Sequence, residues 1–162
     1  MDNQIHTLAE RVGRLIARQK IMMVTAESCT GGWIAEAVTS VAGSSAWFER
    51  GFVSYSNQSK QDMLGVSADT LNRFGAVSEE VVLEMARGAV QRSRAHLSVA
   101  VSGIAGPDGG SVDKPVGTVW IAWGQKLGYA EAECFLFGGD RHAVREQTVI
   151  RALQGLIARL GG

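Results

Sequence analysis

Hydrophobic residues along the chain follow two patterns, one with the period of a helix and one of short apolar runs. Apolar positions recur every three or four residues over 4–19, 78–95 and 140–160, which predicts three amphipathic helices. Short, mostly apolar runs occupy 21–26 and 97–102, as is typical of strands buried on both faces of an α/β sheet. Helical and strand patterns therefore alternate along the chain.

Shorter elements fill the intervals between these segments. Short helices are predicted over 33–41, 57–64 and 67–75. A further strand is predicted over 50–56, where apolar and polar residues partly alternate. The segments 116–124 and 129–137 both have strand patterns, and the turn residues at 126–128 between them predict an antiparallel hairpin.

Polar residues at the expected helix starts support these boundaries. Each can offer a side-chain oxygen to an unpaired backbone N–H of the first turn. The predicted N-caps are Asn57, Ser67, Ser78 and Asp140. Two glutamates follow Ser78, and their charges complement the positive end of the helix dipole.

The order of the elements predicts an α/β fold, because strands alternate with helices and one hairpin follows. We expect a three-layer α/β/α sandwich on a mixed, mostly parallel sheet with a C-terminal antiparallel hairpin. Residues 1–162 contain no repeat, no low-complexity tract and no linker, so a single domain is the simplest organisation.

Composition and charge exclude several classes of function. Hydrophobic residues make up 46% of the chain and charged residues 20%, which is typical of a globular protein. Sixteen basic residues balance sixteen acidic ones, so we expect no nucleic-acid partner, because that affinity comes mainly from basic side chains that neutralise phosphates. No apolar stretch reaches about 18 residues and no signal-like segment opens the chain, which predicts no membrane partner and a cytoplasmic location.

The first predicted strand leads into a serine and a pair of glycines. The chain holds 20 glycines, with clusters at 31–32, 103–110 and 138–139. Such clusters mark places where the backbone turns sharply or approaches a ligand. Ser28 lies just before the first cluster, where its hydroxyl would stand beside N–H groups that could hold an oxyanion or a phosphate. Alternatively, Ser28 or Thr30 is a simple helix cap.

Cys29 is a rival nucleophile. A cysteine normally needs a neighbouring histidine or another group that stabilises its thiolate. The histidines His6, His96 and His142 lie on predicted helices or at their ends, and we interpret them as surface or satisfied residues. Cys29 is therefore interpreted as a small buried side chain. Cys29 and Cys134 are too few cysteines for a disulfide scaffold, and their spacing does not fit a zinc site.

A serine without a histidine needs another base, and the segment 55–60 offers one. If Lys60 is held in a dry pocket, the pKa of its amine falls and the amine can accept the serine proton. Tyr55 could relay that proton or bond to the oxyanion. The alternative is a solvated Lys60 on a helix surface, which the local pattern favours because most lysines are exposed.

A long glycine-rich loop follows the third predicted strand, at the position where ligand crevices form in α/β sheets. Its candidate substrate-binding positions are Ser102, Gly103, Ile104, Ala105 and Gly106. The loop matches neither the Walker pattern nor the dinucleotide fingerprint, so it implies neither ATP nor a dinucleotide. An ordinary surface loop is the alternative, although long irregular loops in compact domains are often functional.

Two arginines near the start of the last predicted helix are candidates for phosphate binding. Arg141 and Arg145 are four residues apart and share a helix face, where they could clamp a phosphate. Arg141 could equally pair with Asp140 or Glu146 at the surface. The spacing alone favours neither interpretation.

Six motifs together resemble the CinA C-terminal domain family, in the same order and over about residues 5–158. They are TAESCTGG at 25–32, GSSAWFERG at 43–51, YSN at 55–57, SGIAGP at 102–107, KPVGTV at 114–119 and GDR at 139–141. Several of these motifs are long, and their joint occurrence is specific to that family.

The resemblance implies an amidohydrolase that converts nicotinamide mononucleotide to nicotinate mononucleotide and ammonia, in pyridine-nucleotide salvage. It implies no metal, no cofactor, and a homodimer or higher homo-oligomer. Longer members of the family carry an additional N-terminal domain, for which a chain of 162 residues has no room. We therefore expect the stand-alone form.

The resemblance also implies roles for individual residues. Ser28 would be the nucleophile, Lys60 its base and Tyr55 an assisting residue. The oxyanion would be held by backbone N–H groups of the turn, from Thr30, Gly31 and Gly32, or by those of the loop 103–106.

Two other classes of protein share some of these sequence features. A non-catalytic nucleotide-binding or regulatory module of the CinA type stays open, because the same glycine loops could bind a phosphate without chemistry. A short-chain reductase requires a tyrosine and a lysine four residues apart on a helix, and a dinucleotide turn after the first strand. Tyr55 and Lys60 are five residues apart and that turn is missing, which excludes the reductase.

Overall fold

The computed structural model describes residues 3–162, which form six α-helices, five β-strands and a 3₁₀ turn at Ser44–Ala46. The helices are α1 (Asn3–Gln19), α2 (Trp33–Thr39), α3 (Asn57–Leu64), α4 (Ala68–Phe74), α5 (Glu79–Gln91) and α6 (Arg141–Arg159). The strands are β1 (Met23–Glu27), β2 (Phe48–Val53), β3 (Leu97–Gly103), β4 (Thr118–Gln125) and β5 (Ala130–Leu136). The predicted order of elements is confirmed, although several boundaries differ.

The five strands form one mixed sheet in the order β2-β1-β3-β4-β5. β1 pairs in parallel with β2 and β3, whereas β4 runs antiparallel to β3 and β5. Four strands therefore point the same way and β4 alone opposes them, because β4 and β5 form the hairpin. The prediction of a mostly parallel sheet with a C-terminal antiparallel hairpin is confirmed.

Helices cover both faces of the sheet, because successive strand residues point to opposite sides. Met23 and Val99 belong to the core that the sheet shares with α1, α2 and α6. Their neighbours Val24 and Ala100 belong to the second core, shared with α3, α4 and α5. The structure thus has the predicted three α/β/α layers. No helix within residues 3–162 is long and apolar enough to span a membrane.

The second strand starts and ends earlier than the predicted 50–56. β2 ends at Val53, and the Ser54 N–H then donates a final hydrogen bond to the Glu27 carbonyl at 2.9 Å. Beyond that bond the chain leaves the sheet. Residues 54–56 form a turn whose carbonyl groups can accept hydrogen bonds from a side chain.

Three of the four predicted helix caps are confirmed. Ser67, Ser78 and Asp140 each accept a hydrogen bond from a backbone N–H of the following turn. The fourth cap is Ser56 rather than Asn57. The backbone of Ser56 is extended, its Oγ accepts from an N–H three residues on, and Asn57 is already helical. The cap therefore stands one residue earlier and fixes the start of α3.

A glycine in α5 allows α3 to pack closely against it. A Cβ atom at Gly88 would lie 1.9 Å from the carbonyl oxygen of Leu64, the last residue of α3. The same carbonyl accepts a hydrogen bond from Arg92 Nη1 at 3.2 Å. The close approach positions α3, and with it the buried Lys60 one turn before Leu64, against the rest of the fold.

We expect Gly88→Ala to lower the free energy of unfolding by about 1–3 kcal/mol, the usual cost of forcing an extra carbon into a packed interior. Alanine favours a helix by about 1 kcal/mol over glycine, which only partly offsets the overlap with the carbonyl. Urea unfolding followed by circular dichroism measures the change. Gly138→Ala is the control, because a Cβ there meets nothing within 4 Å. Equal stability of the two variants would contradict the close approach.

Candidate active site

Ser28 lies where β1 ends and the chain leaves the sheet. Its N–H donates to the Val101 carbonyl of β3 at 3.1 Å, so its backbone is still fixed to the sheet. Gly31 and Gly32 then adopt left-handed φ values of 60° and 108°, which complete the turn into α2. The Ser28 side chain is 8% exposed. The strand and the turn thus hold the hydroxyl in a defined, nearly buried place.

The amine of Lys60 lies beside the Ser28 hydroxyl. Lys60 Nζ is 3.0 Å from Ser28 Oγ, and it is 3.1 Å and 3.0 Å from the carbonyl oxygens of Ser54 and Tyr55. Lys60 is only 1% exposed. The alternative of a solvated lysine is therefore wrong.

The three contacts of Lys60 accommodate both protonation states, because an ammonium can donate to all three oxygens and a neutral amine can donate to two of them. A carbonyl oxygen can only accept, so the carbonyls of Ser54 and Tyr55 occupy the two N–H groups of a neutral amine. In the structure Nζ donates to Ser28 Oγ, whose hydroxyl donates to the Tyr55 carbonyl at 3.4 Å; in the neutral form the lone pair of Nζ can instead accept the hydroxyl hydrogen. Burial lowers the pKa of Lys60 and favours this uncharged form, and the neighbouring Cys29 offsets only part of the effect.

We expect the unfolding free energy of the wild type to rise with pH relative to that of Lys60→Met. The pKa of Lys60 is lower in the folded than in the unfolded chain, so between those values unfolding takes up a proton. Below the lowered pKa both states are protonated and the cost of burying the charge is fully present. Stability is regained as the pH rises through the lowered pKa toward the ordinary value of about 10.4.

Urea unfolding at several pH values up to the ordinary lysine pKa of about 10.4 measures this difference, because the pKa of Lys60 in the folded chain lies below that value. Lys126→Met is the matched control, because Lys126 is exposed in the turn between β4 and β5. Parallel stability curves for the wild type and Lys60→Met would contradict the lowered pKa.

Cys29 has the properties of a buried structural cysteine. It is 6% exposed, and burial, aided by the charge of Glu27, raises the pKa of its thiol to about 12. Very little thiolate forms near neutral pH at such a value. Among residues 3–162 no histidine lines the cavity next to Ser28, and His96 accepts a hydrogen bond from the Met22 N–H. The interpretation of Cys29 as a small buried side chain is confirmed.

A buried carboxylate holds the turn after Ser28. Glu27 is fully buried, and its carboxylate accepts hydrogen bonds from the Ile34 N–H at 2.8 Å, the Ala35 N–H at 3.0 Å and the Thr30 hydroxyl. Burial raises the pKa of Glu27, while these hydrogen bonds oppose the rise. The carboxylate thus satisfies N–H groups at the start of α2 and ties the end of β1 to that helix.

The main chain of Tyr55, and not its side chain, meets the pair of Ser28 and Lys60. The Tyr55 carbonyl contacts Lys60 Nζ and lies 3.4 Å from Ser28 Oγ. The side chain is 60% exposed, and its hydroxyl accepts a hydrogen bond from Arg141 Nη2 at 3.2 Å. This differs from the expected hydroxyl relay, because the turn at 54–56 directs the carbonyls inward and the phenol outward.

A cavity of about 290 Å³ opens beside Ser28 and Lys60 at the carboxyl edge of the sheet. It is lined by Ser28, Cys29, Tyr55, Asn57, Lys60, Ala76, Val77, Ser102, Gly103, Ile104, Ala105, Gly106, Asp108 and Arg141. β2 and β3 lie on opposite sides of β1, and ligand crevices of α/β sheets form at such a point. Within residues 3–162, no cluster of three or more His, Cys, Asp or Glu side chains could hold a metal ion.

The glycine-rich loop lines this cavity at all five predicted positions, 102–106. Ser102 Oγ donates to the Ala76 carbonyl at 2.8 Å, so this hydroxyl holds the loop between α4 and α5 in place. The N–H groups of Ala105 and Gly106 have no hydrogen-bond partner in the described part of the chain. They remain available to a ligand in the cavity.

The predicted positions in the turn lie elsewhere. Thr30, Gly31 and Gly32 line a separate, shallow depression and not the cavity next to Lys60. The Gly31 N–H donates to the Ser28 carbonyl at 3.1 Å, and that of Gly32 points to the Glu27 carboxylate. Of the N–H groups of Thr30, Gly31 and Gly32, that of Thr30 alone has no partner within residues 3–162. The turn therefore offers fewer free donors than its sequence indicates.

The two arginines of α6 contact different parts of the site. Arg141 lines the cavity and donates through Nη1 to the Gly106 carbonyl at 2.9 Å. Arg145 does not line it, and its guanidinium donates to the carbonyls of Cys29 and Thr30. The two guanidinium groups, which could have shared one phosphate or paired at the surface, thus contact different loops, and only Arg141 faces the cavity.

Five residues that line the cavity were not predicted as site residues from the sequence: Cys29, Asn57, Ala76, Val77 and Asp108. Asn57 was interpreted only as a helix cap. Asp108 is an acidic residue inside the glycine-rich loop, a signal that could have singled it out. The loop between α4 and α5 carries no motif, and only the folded chain brings it to the cavity.

Fold and site together define an α/β protein in which a serine hydroxyl meets a buried lysine amine at the carboxyl edge of the sheet. The family model described as CinA C-terminal domain matches residues 5–160. The chain therefore belongs to the CinA C-terminal domain family.

Several relatives are close in sequence and length. The Escherichia coli (strain K12) protein named nicotinamide-nucleotide amidohydrolase PncC is 54% identical over 96% of this chain and 94% of its own. The protein of the same name from Pseudomonas putida is 58% identical over 94% of this chain and 95% of its own. A crystal structure of the competence/damage inducible protein CihA from Agrobacterium tumefaciens has a TM-score of 0.96 and 48% identity, covering 100% of this chain and 98% of that one.

Proposed function

We propose that this chain is a nicotinamide mononucleotide amidohydrolase, which converts the carboxamide of that nucleotide to a carboxylate and releases ammonia. The observation that carries the proposal is the 3.0 Å contact between Ser28 Oγ and the buried Nζ of Lys60. The name shared by the relatives from E. coli and P. putida supports the substrate. We place the reaction in pyridine-nucleotide salvage in the cytoplasm and the enzyme as a homodimer or higher homo-oligomer, as the family resemblance implies.

Ser28 acts as the nucleophile and Lys60 as its general base. The lone pair of the neutral amine takes the hydroxyl proton while Oγ forms a bond to the carboxamide carbon. The carbonyls of Ser54 and Tyr55 then hold the ammonium that forms, because both already accept hydrogen bonds from Nζ. Tyr55 assists through its main chain in this scheme.

The carboxamide oxygen becomes negatively charged as the tetrahedral intermediate forms, and hydrogen-bond donors must meet it. The unpaired backbone N–H groups next to Ser28 belong to two segments. One is the residue directly after the nucleophile, Cys29, and the other is the glycine-rich loop, with Ala105 and Gly106; all three line the cavity. We assign the oxyanion to these donors.

The leaving nitrogen takes a proton from the Lys60 ammonium and departs as ammonia, which leaves an ester between Ser28 Oγ and the nicotinoyl carbon. A water molecule then gives a proton to Lys60 and adds to that carbon. Oγ recovers the proton as it is expelled. The cycle consumes one water and forms one ammonia and one nicotinate mononucleotide, and it regenerates the serine and the neutral amine.

The lining of the cavity offers suitable groups for each part of the nucleotide. Arg141 is exposed and cationic, and a guanidinium can hold a phosphate through two hydrogen bonds. Asp108 can accept hydrogen bonds from ribose hydroxyls. Ala76 and Val77 are apolar and can contact the face of the pyridine ring.

Ser28→Ala and Lys60→Met are each expected to lower kcat/KM for ammonia release by about 100-fold or more, because one removes the nucleophile and the other its base. Ser28→Ala should still bind nicotinamide mononucleotide, as measured by calorimetry. The wild-type rate should rise with pH through the lowered pKa of Lys60, since only the neutral amine accepts a proton.

Exposed residues away from the cavity provide the controls, and Ser45→Ala and Lys126→Met should leave turnover unchanged. Near-normal turnover by Ser28→Ala would exclude this nucleophile. Binding by the wild type without any ammonia release would instead favour the non-catalytic nucleotide-binding module.

Arg141→Met is expected to raise KM for nicotinamide mononucleotide about tenfold or more, which corresponds to about 1.4 kcal/mol of lost phosphate binding. Nicotinamide riboside lacks the phosphate, so its kcat/KM should change little. Steady-state ammonia release with both substrates measures the preference for the phosphorylated one. Arg151→Met, which changes an exposed arginine on the same helix, is the control. An equal loss on both substrates would argue against phosphate contact.

A further inference from the structure

The KPVGTV motif places a lysine against the segment that joins α4 to α5. Lys114 Nζ donates to the carbonyl of Phe74, the last residue of α4, at 2.7 Å. The last carbonyls of a helix have no partner within it, and a cation there meets the negative end of the helix dipole. The four residues 75–78 that follow form the α4–α5 linker, and Lys114 binds the chain where this linker begins.

We propose that Lys114 is a positioning residue that fixes the α4–α5 linker, so that Ala76 and Val77 form a rigid wall of the cavity for the pyridine ring. The inference rests on the proposed function, which places the ring beside these two side chains. Lys114 itself does not line the cavity next to Ser28, so it acts through the linker and not by contact with the substrate.

The backbone of the linker is held by side chains from three different segments. The carbonyls at 74, 75 and 76 accept hydrogen bonds, in that order, from Lys114 Nζ at 2.7 Å, Ser78 Oγ at 2.7 Å and Ser102 Oγ at 2.8 Å. Ser78 also caps α5, and Ser102 also lines the cavity. Lys114 is the charged donor of the three, and a hydrogen bond from a charged group is stronger than one between neutral groups.

The chain around Lys114 is itself fixed to the glycine-rich loop. The Lys114 N–H donates to Ser111 Oγ at 3.1 Å, and the Lys114 carbonyl accepts from the Ser111 N–H at 2.8 Å. At the base of the loop, Ile104 accepts from the Gly117 N–H at 2.7 Å and donates to the Thr118 carbonyl at 2.9 Å. Lys114 therefore joins the linker to the loop that forms the other side of the cavity.

The wall has small side chains, so its position depends mainly on the backbone. Ala76 and Val77 are half-buried, and side chains of this size gain little from burial. Gly75 precedes them with a positive φ of 78°, and a Cβ there would lie 3.5 Å from Lys114 Nζ. The ammonium is thus packed against the linker directly before the wall.

Kinetics with two substrates separate a fixed wall from an effect of the lysine charge on the phosphate. We expect Lys114→Met to raise KM about 3- to 10-fold for nicotinamide mononucleotide and nicotinamide riboside alike, because both carry the ring. kcat should change less than about twofold, since the substitution removes binding and leaves Ser28 and Lys60 in place. Lys114→Arg should restore most of the affinity, because a guanidinium can also donate to the Phe74 carbonyl.

Backbone ¹⁵N relaxation of Ala76 and Val77 reports on the linker without any substrate. Lower order parameters are expected in Lys114→Met than in Lys126→Met, which changes an exposed lysine in the turn between β4 and β5 and should keep the wild-type KM. Circular dichroism checks that both variants are folded. If Lys114→Met does not fold, Lys114→Gln replaces it, and this variant must show the raised KM with both substrates.

Any of three results would overturn the inference. The first is a KM raised for the phosphorylated substrate alone, which would assign the effect to the charge. The second is an unchanged KM with both substrates, whether or not kcat falls, and the third is unchanged order parameters at 76–77. The proposed function fails separately, if the wild type releases no ammonia, and greater mobility of the linker in Lys114→Met would still show what Lys114 holds.

Discussion

The site depends on burying a lysine amine with no carboxylate beside it. An ammonium in that position would lose its hydration and gain only carbonyl and hydroxyl contacts, so burial shifts the balance toward the neutral amine. Lys60 forms no salt bridge within residues 3–162 that would restore the charged form. The two main-chain carbonyls accept N–H groups of Nζ, and in the neutral form a lone pair is available to Ser28, 3.0 Å away. The same side chain at the surface would be a cation unable to accept a proton near neutral pH.

The sheet brings the two halves of this pair together. Ser28 follows β1 and Lys60 follows β2, and the parallel pairing of these strands sets both chain exits at one edge. The hydrogen bond from the Ser54 N–H to the Glu27 carbonyl is the last one between β1 and β2. The residues that follow it in each segment therefore begin close together. α3 then returns Lys60 toward Ser28; the missing side chain at Gly88 lets the helix pack closely, and the hydrogen bond from Arg92 to the Leu64 carbonyl holds its end. The dry environment of the amine is therefore a product of the tertiary packing.

Much of this arrangement could be predicted from the sequence, but the directions of the groups could not. Hydrophobic periodicity predicted the layers, and the motifs placed Ser28 and Lys60 in segments that the sheet does bring into contact. Spacing could not reveal that Tyr55 turns its carbonyl inward and its phenol outward, because that depends on the turn at 54–56. Nor could it show that Arg145 binds carbonyls of the turn, since two arginines at i and i+4 share a helix face whichever loops pack against it. The loop at 76–77 carries no local signal and reaches the cavity only through the packing of α4 and α5.

Three basic side chains, Lys60, Arg141 and Arg145, surround the site, and the groups that each already contacts determine what it can do for a substrate. The amine of Lys60 is buried among carbonyls, and burial favours its uncharged form. It therefore suits proton transfer and not anion binding. Arg141 is exposed, and although it bonds to the Gly106 carbonyl and the Tyr55 hydroxyl, it still lines the cavity and can exchange those partners for a phosphate. Arg145 is committed to two carbonyls and stacked on Trp33, so moving it to a ligand would release the turn. The proposed function thus divides proton transfer, substrate binding and support of the backbone among three side chains, which their formal charge alone would not distinguish.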